Sequence, residues 1–132
     1  MTSLTNRSIL VVEDDAALRH LLARRLQHAG CRVVECASGD AAVHLCREHD
    51  VAFDLMICDM VMPGMTGAEA AKRIADARPG MPIVIMSGYM QDDAMAEACA
   101  GPGRYFLEKP FEAETLAALL DRVFTAAAST AA

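Results

Sequence analysis

The sequence predicts a doubly wound α/β domain with a five-stranded parallel sheet, and three observations lead to that fold class. Short apolar runs alternate with helical segments five times along the chain. Each run is almost continuously apolar, which is typical of parallel strands that helices cover on both faces. The chain has 132 residues, of which 54% are hydrophobic and 23% charged, so it fits one domain with a sizeable core.

The first strand is predicted at the β-branched run Ser8–Val12, which ends abruptly at three acidic residues. A helix follows, because apolar residues recur on one stripe: Leu18, Leu21, Leu22, Leu26 and Ala29. Gly30 is a suitable stop for that helix, and the second strand is predicted at Cys31–Cys36. Ser38 is the expected N-cap of a second helix.

The third strand is predicted at Phe53–Cys58, directly before Asp59 and a turn of the sequence MPG. Residues Thr66 to Glu69 have the S/T-x-x-E form of a capping box. They are expected to open a helix that runs to about Ala77, where the sequence RPGMP ends it.

The fourth strand is predicted at Pro82–Ser87, followed by a weakly patterned helix from about Gln91 to Ala100. A fifth strand is expected at Arg104–Leu107, before a break at Pro110. The last helix carries an apolar face of Leu116, Leu119, Leu120, Val123 and Phe124. We expect residues 126–132 to form a disordered tail.

Charge and composition disfavour several classes of protein. The net charge is −6 and no basic run exceeds Arg24-Arg25, which disfavours direct binding of nucleic acid. The sequence has no signal peptide pattern and no stretch of roughly 18 apolar residues, so we expect a cytoplasmic protein without a membrane segment. The five cysteines form no C-x-x-C pair, which favours free thiols in a reducing compartment over a metal or disulfide framework.

Polar residues stand at the carboxyl ends of four predicted strands, where a doubly wound sheet forms its ligand crevice. They are Glu13, Asp14, Asp59, Ser87 and Lys109. Each has an ordinary explanation when taken alone, such as helix N-terminal charge, a turn residue or a solvated lysine. Together they indicate a site.

Three converging carboxylates require a cation. Each like-charged pair at ~4 Å costs about 4 kcal/mol at an effective dielectric near 20. Oxygen ligands of this kind suit Mg²⁺, with Mn²⁺ as a possible substitute. Mg²⁺ together with Lys109 would balance the three negative charges.

These motifs resemble the receiver domain of two-component response regulators, which has a CheY-like fold. The resemblance lies in the segments ILVVEDD, DLMICDMVMPGMTG, IVIMSG and FLEKPF, at the family's spacings from about Arg7 to Phe124. It implies a receiver domain over residues 7–125 with strand order 2-1-3-4-5. The segments MSGY and FLEKPF resemble receivers of hybrid histidine kinases somewhat more than those of transcription factors.

The resemblance also implies the role of each site residue. Asp59 would be the phosphoacceptor, and it would hold the metal together with Glu13, Asp14 and the backbone carbonyl of Val61. Ser87 and Lys109 would contact phosphoryl oxygens. The Lys109-Pro110 peptide would be cis.

Signalling is expected to follow from the same contacts. Ser87 would move toward the phosphoryl group and couple to Phe106, which fills the family's aromatic switch position, while Tyr105 should point to the other face of the strand. Val61 and Tyr89 fill the two positions that tune dephosphorylation, and neither can orient an attacking water. We therefore expect intermediate to slow autodephosphorylation.

The implied protein is a phosphoacceptor signalling domain, a monomer or weak dimer, that catalyses only its own phosphorylation and autodephosphorylation. Its partners would be a sensor histidine kinase or histidine phosphotransfer protein and a downstream protein bound to the face of helix 4, strand 5 and helix 5.

Three alternatives compete with this interpretation. A phosphorylation-independent interaction module would have lost the acceptor, the acid pair or the lysine, and all are present. A phosphohydrolase of the haloacid dehalogenase type would carry a second Asp where Val61 stands. A flavin-binding protein would need a phosphate-binding loop after strand 1, where Glu13 and Asp14 would repel the phosphate.

Overall fold

A computed structural model describes residues 4–88 and 93–131, and within them the fold is a parallel sheet with helices on both faces. The sheet has the order β2-β1-β3-β4-β5, and every neighbouring pair is parallel. The strands are β1 Ser8–Val12, β2 Arg32–Cys36, β3 Leu55–Asp59, β4 Ile83–Ser87 and β5 Arg104–Glu108. The helices are α1 Ala16–His28, α2 Gly39–Glu48, α3 Gly67–Ala77, α4 Asp93–Ala98 and α5 Ala113–Ala131. The predicted fold class and strand order are confirmed.

The sheet divides the core into two clusters, because successive strand residues point to opposite faces. Leu10 and Val12 pack on the side of α2 and α3, whereas Ile9 and Val11 pack on the side of α1 and α5. All four of these β1 side chains are fully buried. Burial on both faces explains why the central strands are continuous apolar runs.

The strand register brings the polar strand ends to one edge of the sheet. Val12, the last residue of β1, pairs with Cys58, and Asp59 pairs with Met86. Ser87 at the end of β4 pairs with Glu108 at the end of β5. The acidic residues that follow β1 therefore face the ends of β3, β4 and β5 across this edge.

Two helix N-caps, Ser38 and Thr66, lie where the sequence predicts them. The Ser38 hydroxyl accepts a hydrogen bond from the Ala41 amide at 3.1 Å, and the Thr66 hydroxyl accepts one from the Glu69 amide at 3.2 Å. Asp15 caps α1 by accepting from the amides of Ala17 and Leu18. The sequence had placed Asp15 only in an acidic triplet, without a capping role.

Several strand boundaries differ from the prediction by one or two residues. β4 begins at Ile83 rather than Pro82, and β5 ends at Glu108 rather than Leu107. β2 begins at Arg32, one residue late, and β3 begins at Leu55 rather than at Phe53. At β3, the Asp54 amide donates to the Ser8 carbonyl at 2.7 Å, but the Ser8 amide donates to the Asp54 carboxylate at 2.8 Å. The regular pairing of β1 with β3 therefore begins one residue later, at Ile9 and Leu55. β3 also includes Asp59, which the prediction placed just after the strand.

The chain end is helical where a disordered tail was expected. α5 continues to Ala131, so residues 126–131 extend the helix. Alanine has the highest helix propensity and is the commonest residue in this stretch, which accounts for the extension. α4 spans only Asp93–Ala98 among the described residues, and the predicted start of that helix at Gln91 lies outside them. None of the helices in the described part of the chain has the length and apolar character needed to cross a membrane.

Candidate functional site

Three carboxylates meet at the carboxyl edge of the sheet, as the sequence predicts. Glu13 and Asp14 follow β1, and Asp59 ends β3. One carboxylate oxygen from each lies within 4.8 Å of the others. Asp14 is exposed, whereas Glu13 is 1% and Asp59 4% exposed. The site is therefore an acidic cluster that opens to solvent on the Asp14 side.

Lys109 bridges the two buried acids. Its Nζ lies 3.2 Å from Glu13 Oε1 and 3.2 Å from Asp59 Oδ1. Burial lowers the pKa of Lys109, but the charges and hydrogen bonds of Asp59 and Glu13 outweigh burial, so that the pKa is raised overall and the ammonium stays charged.

The backbone holds Lys109 in this position. Its amide donates to the Ser87 carbonyl at 2.7 Å, and the Lys109-Pro110 peptide is cis, as the resemblance implies. Ser87 itself is buried at the end of β4. Strand β4 and the turn after β5 thus deliver Ser87 and Lys109 to the same edge as the three acids.

The surroundings of Glu13 disfavour its ionised form. Burial raises the pKa of Glu13 from 4.5 to about 7, with its hydrogen bond to Asp14 and the charge of Asp59 acting in the same direction. The Asp15 amide, which donates to Glu13 Oε2 at 3.2 Å, and Lys109 oppose this rise. One lysine therefore does not fully compensate the buried negative charge.

The loop after Asp59 is built against the N-terminus of α3. The Met60 amide donates to the Met86 carbonyl at 2.8 Å, and the Gly67 amide donates to the Met60 carbonyl at 2.9 Å. Met62 and Met65 are buried in the core cluster on the α2 and α3 side. The side chain of Val61 is 73% exposed, so between these anchored residues it stands free of the core.

The predicted switch and tuning residues have different outcomes. Phe106 is half-buried on the α2 and α3 side of the sheet, and Tyr105 packs on the α1 and α5 side, as predicted for neighbours on one strand. The switch role of Phe106 with Ser87 remains a prediction. Tyr89 lies outside the described residues. The metal role of the Val61 carbonyl is likewise still a prediction.

The acidic cluster fits a hexacoordinate hard cation. With Mg²⁺–O distances near 2.1 Å, neighbouring ligands stand about 2.9 Å apart and opposite ligands about 4.2 Å. The carboxylate oxygens all lie within 4.8 Å of one another, so small side-chain adjustments bring them to these separations. The donors are all oxygens, and three carboxylates against one ammonium leave two charges for a divalent ion to balance. The residues present therefore suit Mg²⁺.

Arg19 and Glu35 are polar residues beside the site that the sequence did not single out. Arg19 Nη1 donates to the Glu13 carbonyl oxygen at 2.9 Å, and its Nε donates to Glu35 Oε1 at 3.2 Å. From the sequence alone, an arginine one turn into α1 is expected to be a solvated charge, because the sequence does not show that β2 places an acid opposite it.

A doubly wound sheet with an acidic cluster, a lysine and a buried serine at its carboxyl edge defines the receiver class of signalling domains. The sequence model described as "Response regulator receiver domain" matches residues 9–121. The chain belongs to the response regulator receiver domain family, and it is thus a signalling domain of two-component systems.

Similar proteins support this assignment. The chain is 39% identical over 115 residues to the response regulator protein FleR of Pseudomonas aeruginosa, covering 86% of this chain and 24% of FleR. It is 34% identical over 111 residues to the sensor kinase CckA of Brucella abortus, covering 83% of this chain and 12% of CckA. The structure of the chemotaxis protein CheY4 of Vibrio cholerae matches with a TM-score of 0.81 at 30% identity, covering 90% of this chain and 99% of CheY4. The chain therefore spans about a quarter of FleR and much less of CckA.

Proposed function

We propose that this domain accepts a phosphoryl group on Asp59 from a phosphohistidine donor in a Mg²⁺-dependent reaction. One observation carries the proposal. Asp59 is a buried carboxylate with Lys109 Nζ at 3.2 Å and with two further acids whose oxygens lie within 4.8 Å of it. A nucleophile, a fixed cation and a site for a divalent ion thus lie together at one edge of the sheet.

The chemistry assigned to these residues is an in-line displacement. A carboxylate oxygen of Asp59 forms the new bond to phosphorus as the bond from phosphorus to the donor imidazole nitrogen breaks, and the imidazole leaves with the bonding electron pair. Lys109 offsets negative charge on the transferring oxygens, and the Ser87 hydroxyl donates to one of them. Glu13, Asp14, Asp59 and the Val61 carbonyl would hold Mg²⁺, which would supply positive charge against the negative charge of the phosphoryl group.

An apolar cleft next to Lys109 supports a protein donor. The cleft has a volume of about 510 Å³, and α1 contributes Leu18, Leu21 and Leu22 to it. Arg25, Lys109, Pro110 and Phe111 complete its lining. Leu21 is one of the exposed large hydrophobic residues of the domain. A helix of a sensor histidine kinase or a histidine phosphotransfer protein could cover these side chains and bring its histidine to Asp59.

We assign the binding of a downstream partner protein to the face made by α4, β5 and α5. Ser87 would donate to the new phosphoryl oxygen, and Phe106 would repack on the edge strand β5 beside it. A groove of about 580 Å³ between β5 and α5 begins at Phe106 and gives a downstream partner a surface to bind. We assign a monomer or weak dimer as the working state. The cytoplasm is the assigned location, since the five cysteines are free thiols.

Incubation with acetyl phosphate and Mg²⁺ tests the proposal. We expect intact mass spectrometry to show a gain of about 80 Da, the mass of one phosphoryl group. Prior chelation of the metal should prevent the gain. Reduction of the acyl phosphate with borohydride, followed by peptide mapping, should place the modification on Asp59. Absence of the gain, or a gain that maps to another residue, would contradict the proposal.

The phosphoryl group should persist for minutes or longer once the donor is removed. The exposed side chain of Val61 carries no carboxylate or amide that could orient a water on the phosphorus, and Tyr89 lacks one too. The decay of the added mass with time measures this lifetime, and Val61→Asn should shorten it. A half-life of seconds in the unaltered chain would refute the tuning role.

An interaction module that works without phosphorylation is the second candidate. Such a module would bind its partner through the same fold but would accept no phosphoryl group. It therefore predicts no mass gain with acetyl phosphate. The complete set of acceptor, acid pair, serine and lysine favours the phosphorylated module.

The match to CckA covers 12% of that sensor kinase, which is compatible with a receiver that is one part of a hybrid histidine kinase.

A further inference from the structure

Arg19 contacts the main chain of the acidic pair. Its Nη1 donates to the Glu13 carbonyl oxygen at 2.9 Å, and this carbonyl belongs to the peptide that links Glu13 to Asp14. The side chain of Arg19 is 14% exposed, so the hydrogen bond is shielded from water. A charged donor on a part-buried carbonyl makes a stronger restraint than a neutral one.

Glu35 on β2 orients the guanidinium. Glu35 Oε1 accepts from Arg19 Nε at 3.2 Å and lies 2.8 Å from His20 Nδ1. Arg19 therefore ties three parts of the domain together: the first turns of α1, strand β2 and the end of β1. Its planar fork can reach Glu35 and the Glu13 carbonyl at once, which the single ammonium of lysine does less well.

The segment that carries the acids is held at several other points. The Glu13 amide donates to the Cys36 carbonyl at 3.1 Å, which fixes the strand side of the residue. The Asp15 amide donates to Glu13 Oε2, and the Asp15 side chain caps α1. The peptide between Glu13 and Asp14 lies between these anchored points, and its carbonyl is the one that Arg19 contacts.

We propose that Arg19 is a positioning residue, oriented by Glu35, which fixes this peptide and so sets the spacing of the Glu13 and Asp14 carboxylates for a divalent cation. The inference rests on the proposed function, since it assigns the acids to a metal. The site then includes, besides the carboxylates, the residues on α1 and β2 that position them.

Electrostatics alone predicts the opposite effect of removing Arg19. A cation next to the acid pair repels Mg²⁺, so a neutral side chain at position 19 would tighten binding if charge were all that mattered. Loss of an orienting contact behind a metal ligand instead weakens the affinity, typically by roughly tenfold or more. The sign of the change thus separates a positioning role from a simple charge effect.

The test measures Mg²⁺ binding without any phosphodonor, by calorimetric titration of the full chain. Arg19→Gln should weaken Mg²⁺ binding by roughly tenfold. Arg24→Gln is the matched control, because Arg24 is exposed on the same helix, and it should leave the affinity close to that of the unaltered chain. Arg19→Lys keeps the charge and a single donor nitrogen in place of the guanidinium fork, and it should recover part of the affinity.

The phosphorylation rate provides a second measurement. In Arg19→Gln the Mg²⁺ concentration for half-maximal rate should rise, while the rate at saturating Mg²⁺ stays close to that of the unaltered chain. If Arg19 acted in folding alone, Arg19→Gln would lower the thermal stability but would not raise the Mg²⁺ concentration for half-maximal rate. If Arg19→Gln does not fold, Arg19→Lys is judged by the same titration. It keeps the charge, so any loss of affinity relative to the unaltered chain reports the orienting contact rather than the charge.

Unchanged or tighter Mg²⁺ binding in Arg19→Gln would overturn the positioning role, as would an equal loss in Arg24→Gln. The two proposals fail separately. If the unaltered chain binds Mg²⁺ but takes up no phosphoryl group, the proposed function fails and the titration still judges Arg19. If the unaltered chain binds no Mg²⁺, the metal site and the role of Arg19 both fail.

Discussion

Asp59→Asn is expected to gain no mass from acetyl phosphate and Mg²⁺, whereas the unaltered chain gains about 80 Da. An amide oxygen is a poor nucleophile, and it forms no stable acyl phosphate. Asn is close to Asp in size and shape, so the buried site at the end of β3 keeps its packing. Intact mass after identical incubations measures the effect, and the loss should be complete.

The variant should also remain folded, which separates lost chemistry from lost structure. The substitution removes one of three clustered carboxylates, and each like-charged pair at ~4 Å costs about 4 kcal/mol at an effective dielectric near 20. Lys109 still pairs with Glu13 at 3.2 Å. We therefore expect the free energy of unfolding without metal to be no lower than that of the unaltered chain.

Asp50→Asn is the matched control for this experiment, because Asp50 is an exposed acid outside the cluster. It should gain the phosphoryl mass as the unaltered chain does. Phosphoryl uptake by Asp59→Asn at a rate near that of the control would remove Asp59 from the role of acceptor. Urea denaturation of all three proteins checks that each is folded.

The sequence predicts the strands well because their signal is strong and local. A parallel strand covered on both faces, such as Leu55–Asp59, must be apolar along its whole length, and its polar end must lie at the crevice. The carboxyl edge of the sheet then collects Glu13, Asp14 and Asp59 without any knowledge of side-chain contacts. Fold class and the members of the acidic cluster follow from this pattern alone.

The parts that the sequence missed depend on contacts between distant residues. Arg19 looks like a solvated helix charge until β2 places Glu35 and the end of β1 places the Glu13 carbonyl against it. Phe53 looks like the start of β3 because nothing local reveals that the Ser8 amide bonds the Asp54 side chain and that regular pairing begins at Leu55. The extension of α5 to Ala131 was missed for another reason: a run of small residues after the last apolar contact suggests fraying, although alanine favours helix.

Gly67→Ala should be the most destabilising of the small substitutions near the site. Gly67 begins α3 and is buried against the chain at Asp59. A Cβ there would overlap the Asp59 carbonyl oxygen and would lie 2.8 Å from Met60 Cα. These are backbone atoms of β3 and its turn, so no side-chain rotation relieves the contact. We expect a loss of about 3 kcal/mol in the free energy of unfolding, measured by urea denaturation, as for severe overpacking.

Phosphorylation should fall as well, because the chain that must shift carries Asp59. Gly88→Ala is the matched control: a Cβ there meets nothing within 4 Å, so its stability should change by less than about 1 kcal/mol. Gly39→Ala should fall between them, since its Cβ would meet the Met65 side chain at 3.2 Å, and a methionine can move. A graded series would show that the close approach of α3 to β3 holds the acceptor in place. Equal stability of Gly67→Ala and Gly88→Ala would contradict that constraint, and the position of Asp59 would then rest on its side-chain contacts with Lys109 rather than on its backbone.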